Sequence, residues 1–200
     1  AIAGSEGEAG ASENANALPV ARQQETAAMT PVERLAAKAD GKQWELVENQ
    51  RGITYYKLFG PYLAGAKKIV VEDAYVRKPY QLRNLAEFLE MLLRCKNSDE
   101  DVAVHLVTGH NDPEFVEAQL NGLNELASTF SQLGVNLTYE FRDTLHDRSI
   151  TSDTGWEILP GRGLDIFQKI VDGDWLNPLL RHQQLRRVKE CKVTYRRIER

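Results

Sequence analysis

The chain has 200 residues, a formal net charge of −4, and hydrophobic and charged fractions of 42% and 27%. These values are typical of a soluble globular protein, and the absence of an apolar run of roughly 18 residues excludes a membrane-spanning helix. Two cysteines, Cys95 and Cys191, are too few for a disulfide framework and lack metal-ligand spacing. We therefore expect buried thiols, a cytoplasmic location, and neither a metal nor a cofactor.

The first part of the chain is predicted to be a linker. Residues 1 to about 24 are mostly Ala, Gly, Ser, Glu and Asn, which bury too little apolar surface to offset the entropy of ordering. Thr30-Pro31-Val32-Glu33 combines an N-cap, a first-turn proline and a capping-box glutamate, so a short helix should follow. We divide the chain into residues 1–40, a flexible linker with a short helix, and residues 41–200, the folded domain.

Strand and helix patterns alternate from Arg51 onward. Apolar, β-branched runs predict strands at 68–73 and 102–107, the first of them buried on both faces. Apolar and polar residues alternate over 135–141, which predicts a third strand. Helical spacing of leucine and phenylalanine predicts two long helices, at 81–94 and from Asp112-Pro113 to Gly134, and a short interrupted helix at 57–66.

The pattern changes after the third strand. Residues 145–151 and 156–159 flank a Ser-Asp-Thr-Gly turn and predict a hairpin, and alternation over 189–197 predicts a closing strand. The repeated strand–helix–strand order predicts parallel strands that are joined by right-handed helical crossovers. The fold class is therefore α/β, a sandwich built on a mixed, mostly parallel sheet with helices on its faces and a C-terminal antiparallel hairpin.

The segment 143–165 concentrates residues that could carry chemistry. His146, Arg148 and Asp153 have the spacing His-x-Arg-x4-Asp, which resembles the His-x-Lys-x4-Asp element of the phospholipase D superfamily. In that chemistry a histidine attacks phosphorus, a second histidine protonates the leaving oxygen, and cations hold the phosphate. His146 would be the nucleophile, Arg148 the phosphate clamp, and Asp153 the group that orients an imidazole.

The sequence contains one copy of this element. The other histidines (His105, His110, His182) lack the pattern, so catalysis requires a two-fold dimer that brings two His146 side chains together. On a strand His146 and Arg148 share one face. Alternatively, Arg148 forms a local ion pair with Asp147, and Asp153 is the Asx residue of the hairpin turn.

Three arginines are candidates for an anion pocket. Arg77 follows the first strand, where open α/β sheets place their ligands, and could join Arg148 and Arg162. Gly161 and Gly163 flank Arg162 and could offer backbone N–H groups to a phosphate. In the alternative interpretation this loop is a tight turn, and Arg77 forms a surface salt bridge.

The last twenty residues form a second basic region. They could attract phosphate-bearing partners, or they could be a solvated helix and edge strand whose charges deter aggregation. Against Glu190 and Glu199, this region carries eight bases: Arg181, Arg186, Arg187, Lys189, Lys192, Arg196, Arg197 and Arg200.

Six segments between Arg51 and Arg197 form a combined pattern: Leu58–Leu63, Val71–Arg77, Gln81–Leu85, His146–Arg148, Gly155-Trp156 and Gly161–Asp165. Together they resemble the C-terminal domain of MIT-domain-containing proteins. The resemblance implies a phospholipase D-like fold that is dimeric, not known to be catalytic, and in animal members a binder of phosphoinositide membranes during cell division.

Residues 1–41 are too short and polar for the three-helix MIT domain, so the chain looks more like bacterial relatives. In those, such a domain ends a Lon-like AAA+ protein of BREX-type phage-defence systems. We therefore expect a non-catalytic module that dimerises and binds a partner or phosphate-bearing surface for an upstream ATPase or protease region. The alternatives are a dimeric phosphodiesterase that acts on nucleic acid or phospholipid through His146, and a peripheral binder of anionic membrane lipid.

Overall fold

A computed structural model describes residues 29–170 and 176–198 of this chain. The predicted linker over residues 1–28 lies outside the described residues, as does Arg200. Residues Pro31–Arg200 form one compact unit. In the described ranges no helix is both long and apolar enough to cross a membrane.

Seven strands form one mixed sheet in the order β1-β7-β6-β5-β2-β3-β4. The predicted strands and the predicted hairpin are present, and a three-residue strand that the sequence did not predict, β1, pairs with β7 at one edge. The strands are β1 (Trp44–Leu46), β2 (Lys68–Asp73), β3 (Val102–Thr108), β4 (Val135–Phe141), β5 (Arg148–Ser152), β6 (Trp156–Pro160) and β7 (Cys191–Arg197).

Two long helices, α4 and α5, connect the three parallel strands. Pro79 occupies the first turn of α4, and the Gln81 side chain accepts a hydrogen bond from the Lys78 backbone N–H at 2.9 Å. Gly134, with φ +77°, follows α5. The helices are α1 (Pro31–Ala36), α2 (Tyr55–Leu58), α3 (Gly60–Leu63), α4 (Pro79–Leu93), α5 (Val116–Ser131) and α6 (Pro178–Arg181), with 3-10 turns at Pro113–Phe115 and Gln183–Leu185.

The prediction of a mostly parallel sheet is wrong. Only β2–β3 and β3–β4 are parallel, whereas β2–β5, β5–β6, β6–β7 and β1–β7 are antiparallel. The reason is the short link over residues 142–147, which contains no crossover helix. The chain therefore turns back at the carboxyl end of β4 and enters β5 antiparallel to β2.

Among the described residues, the main buried core lies on one face of the sheet. Burial alternates along β2, where Ile69 and Val71 are 1% exposed and Val70 is 37% exposed. The prediction that β2 is buried on both faces is therefore wrong, and the described helices pack on the side of Ile69 and Val71 instead of on both faces.

We call the other face, which includes Val70, the open face. Val70 pairs across the sheet with polar neighbours, His105 on β3 and Thr151 on β5. His105 in turn pairs with Thr138 on β4, and its Nδ1 lies 2.9 Å from the Thr138 hydroxyl.

One buried ion pair fastens the segment before β7 to α4. Arg186 and Glu87 have side chains that are 4% and 12% exposed. Nη1 of Arg186 donates to Glu87 Oε2 at 2.8 Å, and Nη2 donates both to Glu87 Oε1 and, at 2.9 Å, to the Leu180 carbonyl. This pair holds the α6 segment against the helical layer.

Candidate functional site

The candidate site begins with Asp73 at the carboxyl end of β2, which is 3% exposed. Its Oδ1 accepts a hydrogen bond from the Tyr75 backbone N–H at 3.1 Å, and its Oδ2 accepts one from the Leu164 N–H at 2.9 Å. Burial raises the pKa of Asp73, and this effect outweighs the two hydrogen bonds and the Arg148 charge, which lower it. Asp73 therefore connects β2 to the loop after β6.

Arg148, the first residue of β5, is paired in register with Asp73. Its Nε lies 3.8 Å from Asp73 Oδ1, is buried, and has no hydrogen-bond partner within residues 29–170 and 176–198. Its Nη1 donates to the Gly161 carbonyl at 2.9 Å, and its guanidinium lies 4.5 Å from the ring centroid of Tyr75. The side chain is 27% exposed, so a fixed cation partly faces solvent.

Arg77 shares the same tyrosine. Its guanidinium lies 5.4 Å from the Tyr75 ring centroid, and its Nε donates to the Ala74 carbonyl at 2.7 Å. Tyr75 is itself 46% exposed. The structure thus brings two of the three predicted arginines, Arg77 and Arg148, to one solvent-facing aromatic ring, where neither forms a short ion pair that would neutralise it.

Arg162 and its flanking glycines have other contacts. Arg162 Nε donates to the Glu190 carbonyl at 2.9 Å, beside β7, and its side chain lines a separate cleft of about 490 Å³. The N–H groups of Gly161 and Gly163 donate to the carbonyls of Lys192 and Pro160 at 3.0 and 2.8 Å. The predicted anion nest is therefore absent here, because both donors are already used, and the tight-turn alternative describes the loop.

Gly163 is required for this turn. Its φ is +60°, and a Cβ at this position would lie 2.0 Å from Asp73 Oδ2. The backbone could not otherwise approach the buried carboxylate closely enough for Leu164 to donate to it.

The structure separates the three predicted catalytic residues. His146 lies before β5, exposed, and no hydrogen bond, ion pair or ring contact involves its imidazole in the described part of the chain. Asp153 lies beyond the other end of β5 and accepts from the Lys67 N–H at 3.0 Å. A five-residue strand is about 13 Å long, so Asp153 cannot orient His146 of the same chain.

At the same edge of the sheet lies a histidine that Asp143 orients, His110, which the sequence patterns did not predict. His110 Nδ1 lies 3.0 Å from Asp143 Oδ2, and the His110 backbone N–H donates to Asp143 Oδ1 at 2.9 Å. These bonds lower the pKa of Asp143, the backbone bond most strongly. The ring stacks on Phe141 with centroids 4.2 Å apart. His110 and Asp143 follow the carboxyl ends of adjacent parallel strands, β3 and β4, and this placement could have predicted that they meet.

The basic C-terminal region is largely paired. Arg186 and Lys189 form ion pairs with Glu87 and Asp165, Arg196 lies 3.7 Å from Glu157, and Arg197 lies over the Trp156 ring at 4.1 Å from its centroid. These contacts favour a structural role for these four side chains. The predicted edge strand is wrong, because β7 pairs with β1 on one side and β6 on the other.

Asp73 makes stability depend on pH. The Asp73 carboxyl group binds a proton more tightly in the folded state than in the unfolded chain, where its pKa has the ordinary value of 3.8. Between 3.8 and the raised pKa, the free energy of unfolding therefore increases as the pH falls. We expect wild type to gain stability relative to Asp73→Asn between about pH 7 and about pH 4, measured by urea unfolding.

Asp143→Asn is the control for this prediction. Because the pKa of Asp143 is lowered in the fold, wild type should lose stability relative to that variant as the pH falls through the ordinary value. A difference between wild type and Asp73→Asn that stays constant with pH would contradict the assignment.

The fold and site together define a class: an α/β domain with a mixed sheet, a basic edge built on Asp73 and Arg148, and a single His-x-Arg element. The chain belongs to the family described as the phospholipase D-like domain at the C-terminus of MIT, which matches residues 52–197. It is similar to MIT domain-containing protein 1 of Mus musculus, with 36% identity over 138 residues, 66% of this chain and 54% of the mouse protein. The chain thus spans about half the length of that relative.

Proposed function

We propose that the chain is a non-catalytic interaction module that binds a phosphate-bearing surface through Arg77 and Arg148. The observation that carries this proposal is the pair of guanidinium groups held on the exposed Tyr75 ring. Arg148 is fixed from behind by Asp73 and Gly161, so little side-chain entropy is lost when an anion binds. Planar guanidinium groups hold phosphate oxygens in a bidentate manner.

The separation of His146 from Asp153 supports a role without catalysis. An unoriented imidazole is a poor nucleophile, and the second histidine would have to come from another copy of the chain. The exposure of His146 keeps the dimeric phosphodiesterase as the second candidate. Hydrolysis of bis(p-nitrophenyl) phosphate by wild type but not by His146→Ala would establish it.

Binding by the arginine pair can be tested with single variants. We expect Arg77→Ala and Arg148→Ala each to weaken binding to anionic vesicles or duplex DNA about ten-fold, or ~1.4 kcal/mol, because each removes a charge-assisted contact. Sedimentation with phosphatidylserine vesicles and fluorescence anisotropy with a labelled duplex distinguish membrane from nucleic acid.

Two further variants make this test specific. Tyr75→Ala frees both guanidinium groups without removing a hydrogen bond to Asp73 and should give an intermediate loss. Arg34→Ala, an exposed arginine on α1, should change nothing. If Arg77→Ala and Arg148→Ala bind both probes as wild type does, the site is wrong.

We further propose that the module acts as a homodimer through the open face of its sheet. Seven strands spaced ~4.8 Å apart and ~17 Å long offer about 500 Å² per copy, which reaches the ~1,000 Å² total expected of a specific interface. Val70, 37% exposed, lies in the middle of this face.

Val70→Glu should therefore convert a dimer to a monomer in light scattering coupled to size exclusion, because it places a charge at the centre of the interface. Leu133→Glu is the matched control at a 51% exposed position in the turn between α5 and β4, which is not on a strand. A wild-type chain that is monomeric at micromolar concentration would refute the dimer.

The parent protein that we propose is a Lon-like AAA+ ATPase of a phage-defence system, with this module at its C-terminal end. What supports this is the resemblance of the chain to the C-terminal domains of such proteins. The composition of residues 1–28, with four acids against one base and few large apolar residues, is typical of a linker from an upstream domain. Isolation of the natural full-length protein and measurement of its ATP hydrolysis would test it.

A further inference from the structure

A groove of about 690 Å³ lies between the N-terminal ends of α4 and α5, beside the segment 168–170. Its volume is in the range of ligand sites in proteins. Nothing in the arginine pair on Tyr75 or in the open sheet face explains it, although Arg77 lies at one end. The groove is partly open to solvent, so a bound segment of chain could extend beyond it.

Four cationic side chains line this groove: Arg77, Lys78, Arg83 and Lys169. Among the described residues, none of the four forms an ion pair with a carboxylate, in contrast to the paired bases near β7. Asp112 is the one acidic residue in the lining. The groove therefore carries a local positive excess on a chain whose net charge is −4.

Two large apolar side chains also line the groove. Phe115 is 48% exposed, an unusual state for a large aromatic side chain, and Leu82 is the second. Leu82 of α4 packs closely on α5, since a Cβ on Gly122 would lie 2.6 Å from its Cδ1. The helices are thus in contact at Leu82, so this part of the lining is fixed.

Buried hydrogen bonds hold the groove open in advance of binding. Gln119 is 1% exposed; its Nε2 donates to the carbonyls of Val76 and Gly109 at 2.8 and 3.0 Å, and its Oε1 accepts from the Asn111 N–H at 2.8 Å. These bonds join the loops that follow β2 and β3. A preformed groove loses little conformational entropy when a ligand enters.

We propose that this groove docks an acidic peptide segment of a partner protein, in which carboxylate and large apolar side chains alternate. The carboxylates would pair with the four cations, and the apolar side chains would cover Phe115 and Leu82. A nucleic acid fits less well, because Asp112 in the lining would repel its phosphates and Leu82 offers its bases no aromatic face for stacking.

The probe is a fluorescein-labelled nine-residue peptide in which glutamate and leucine alternate, measured by fluorescence anisotropy. Peptides that alternate lysine with leucine, and glutamate with serine, test the need for negative charge and for apolar side chains. We expect measurable binding of the first peptide only, with affinity that falls as salt is raised.

Two variants outside the arginine pair on Tyr75 locate the binding. Arg83→Glu and Phe115→Ser should each weaken the glutamate–leucine peptide at least about ten-fold. Lys42→Glu and Leu133→Ser are the matched controls at exposed positions outside the groove lining, Leu133 lying beyond the other end of α5, and both should bind as wild type. Arg148→Ala should also bind this peptide normally, which separates this proposal from the anion site.

Equal binding of the acidic and lysine peptides would overturn the proposal, as would wild-type affinity in both Arg83→Glu and Phe115→Ser. If the peptide does not bind and a labelled single-stranded oligonucleotide binds in an Arg83-dependent manner, the groove is a nucleic-acid site instead.

Discussion

Gly163→Ala is expected to lower the free energy of unfolding by ~3–5 kcal/mol, although the substitution adds a single methyl group. The left-handed backbone at φ +60° accounts for ~1 kcal/mol of this loss. The remainder comes from the Cβ, which would lie 2.0 Å from Asp73 Oδ2. That carboxylate cannot move aside without losing its buried hydrogen bonds from Tyr75 and Leu164.

The matched control is Gly52→Ala. Gly52 also has a left-handed backbone, with φ +81°, but no atom lies within 4 Å of its Cβ position. Its loss should be limited to the conformational cost of ~1 kcal/mol. Urea unfolding of both variants isolates the contribution of the close approach to Asp73.

A double-mutant cycle tests the cause. In an Asp73→Ala background the collision partner of the Gly163 methyl group is gone, so Gly163→Ala should cost much less there than in wild type. Additive effects of the two substitutions would show that Asp73 is not what restricts position 163.

Arg186→Ala should destabilise the domain by ~3–5 kcal/mol, because it leaves Glu87 as an uncompensated buried charge. It also removes the Arg186 hydrogen bond to the Leu180 carbonyl, so the α6 segment should become accessible to proteases before the rest of the domain. Glu87→Ala should have a similar cost for the reciprocal reason.

Lys67→Ala is the comparison for this buried pair. Lys67 and Glu100 form a short ion pair of 2.6 Å, but their side chains are 60% and 36% exposed. Its removal should cost no more than ~1 kcal/mol. Equal losses for Lys67→Ala and Arg186→Ala in urea unfolding would contradict the argument that burial, and not pair distance, determines the effect.

Local patterns predicted the elements of the parallel half of the sheet well. The apolar face of α4, the capping residues and the alternation in β4 are all properties of contiguous sequence, so their signals survive without tertiary information. The run 68–73 is a strand, as predicted, but only one of its faces is buried. Its consecutive apolar residues do not reveal that no layer covers Val70 in the described structure.

The features that the sequence did not predict depend on distant contacts. β1 has three residues, too few for a periodic signal. It forms because distant β7 offers a backbone edge, where Trp44 pairs with Val193 and Leu46 pairs with Cys191. Likewise, the spacing of His146, Arg148 and Asp153 suggested a cluster of side chains. Spacing alone does not predict that β5 lies between His146 and Asp153 and holds them apart. Arg148 meets Arg77 only because β5 pairs with β2.

The position of β7 between β1 and β6 has a consequence for biosynthesis. β7 must insert between two strands that are made before it, and β1 has no other partner in the described sheet. Until β7 is made, the edge of β6 and the apolar side chains beneath it, including Trp156 and Ile158, remain uncovered in the nascent chain. The sheet should therefore close only after β7 has left the ribosome, and a nascent chain that stalls before Cys191 should be a substrate for chaperones.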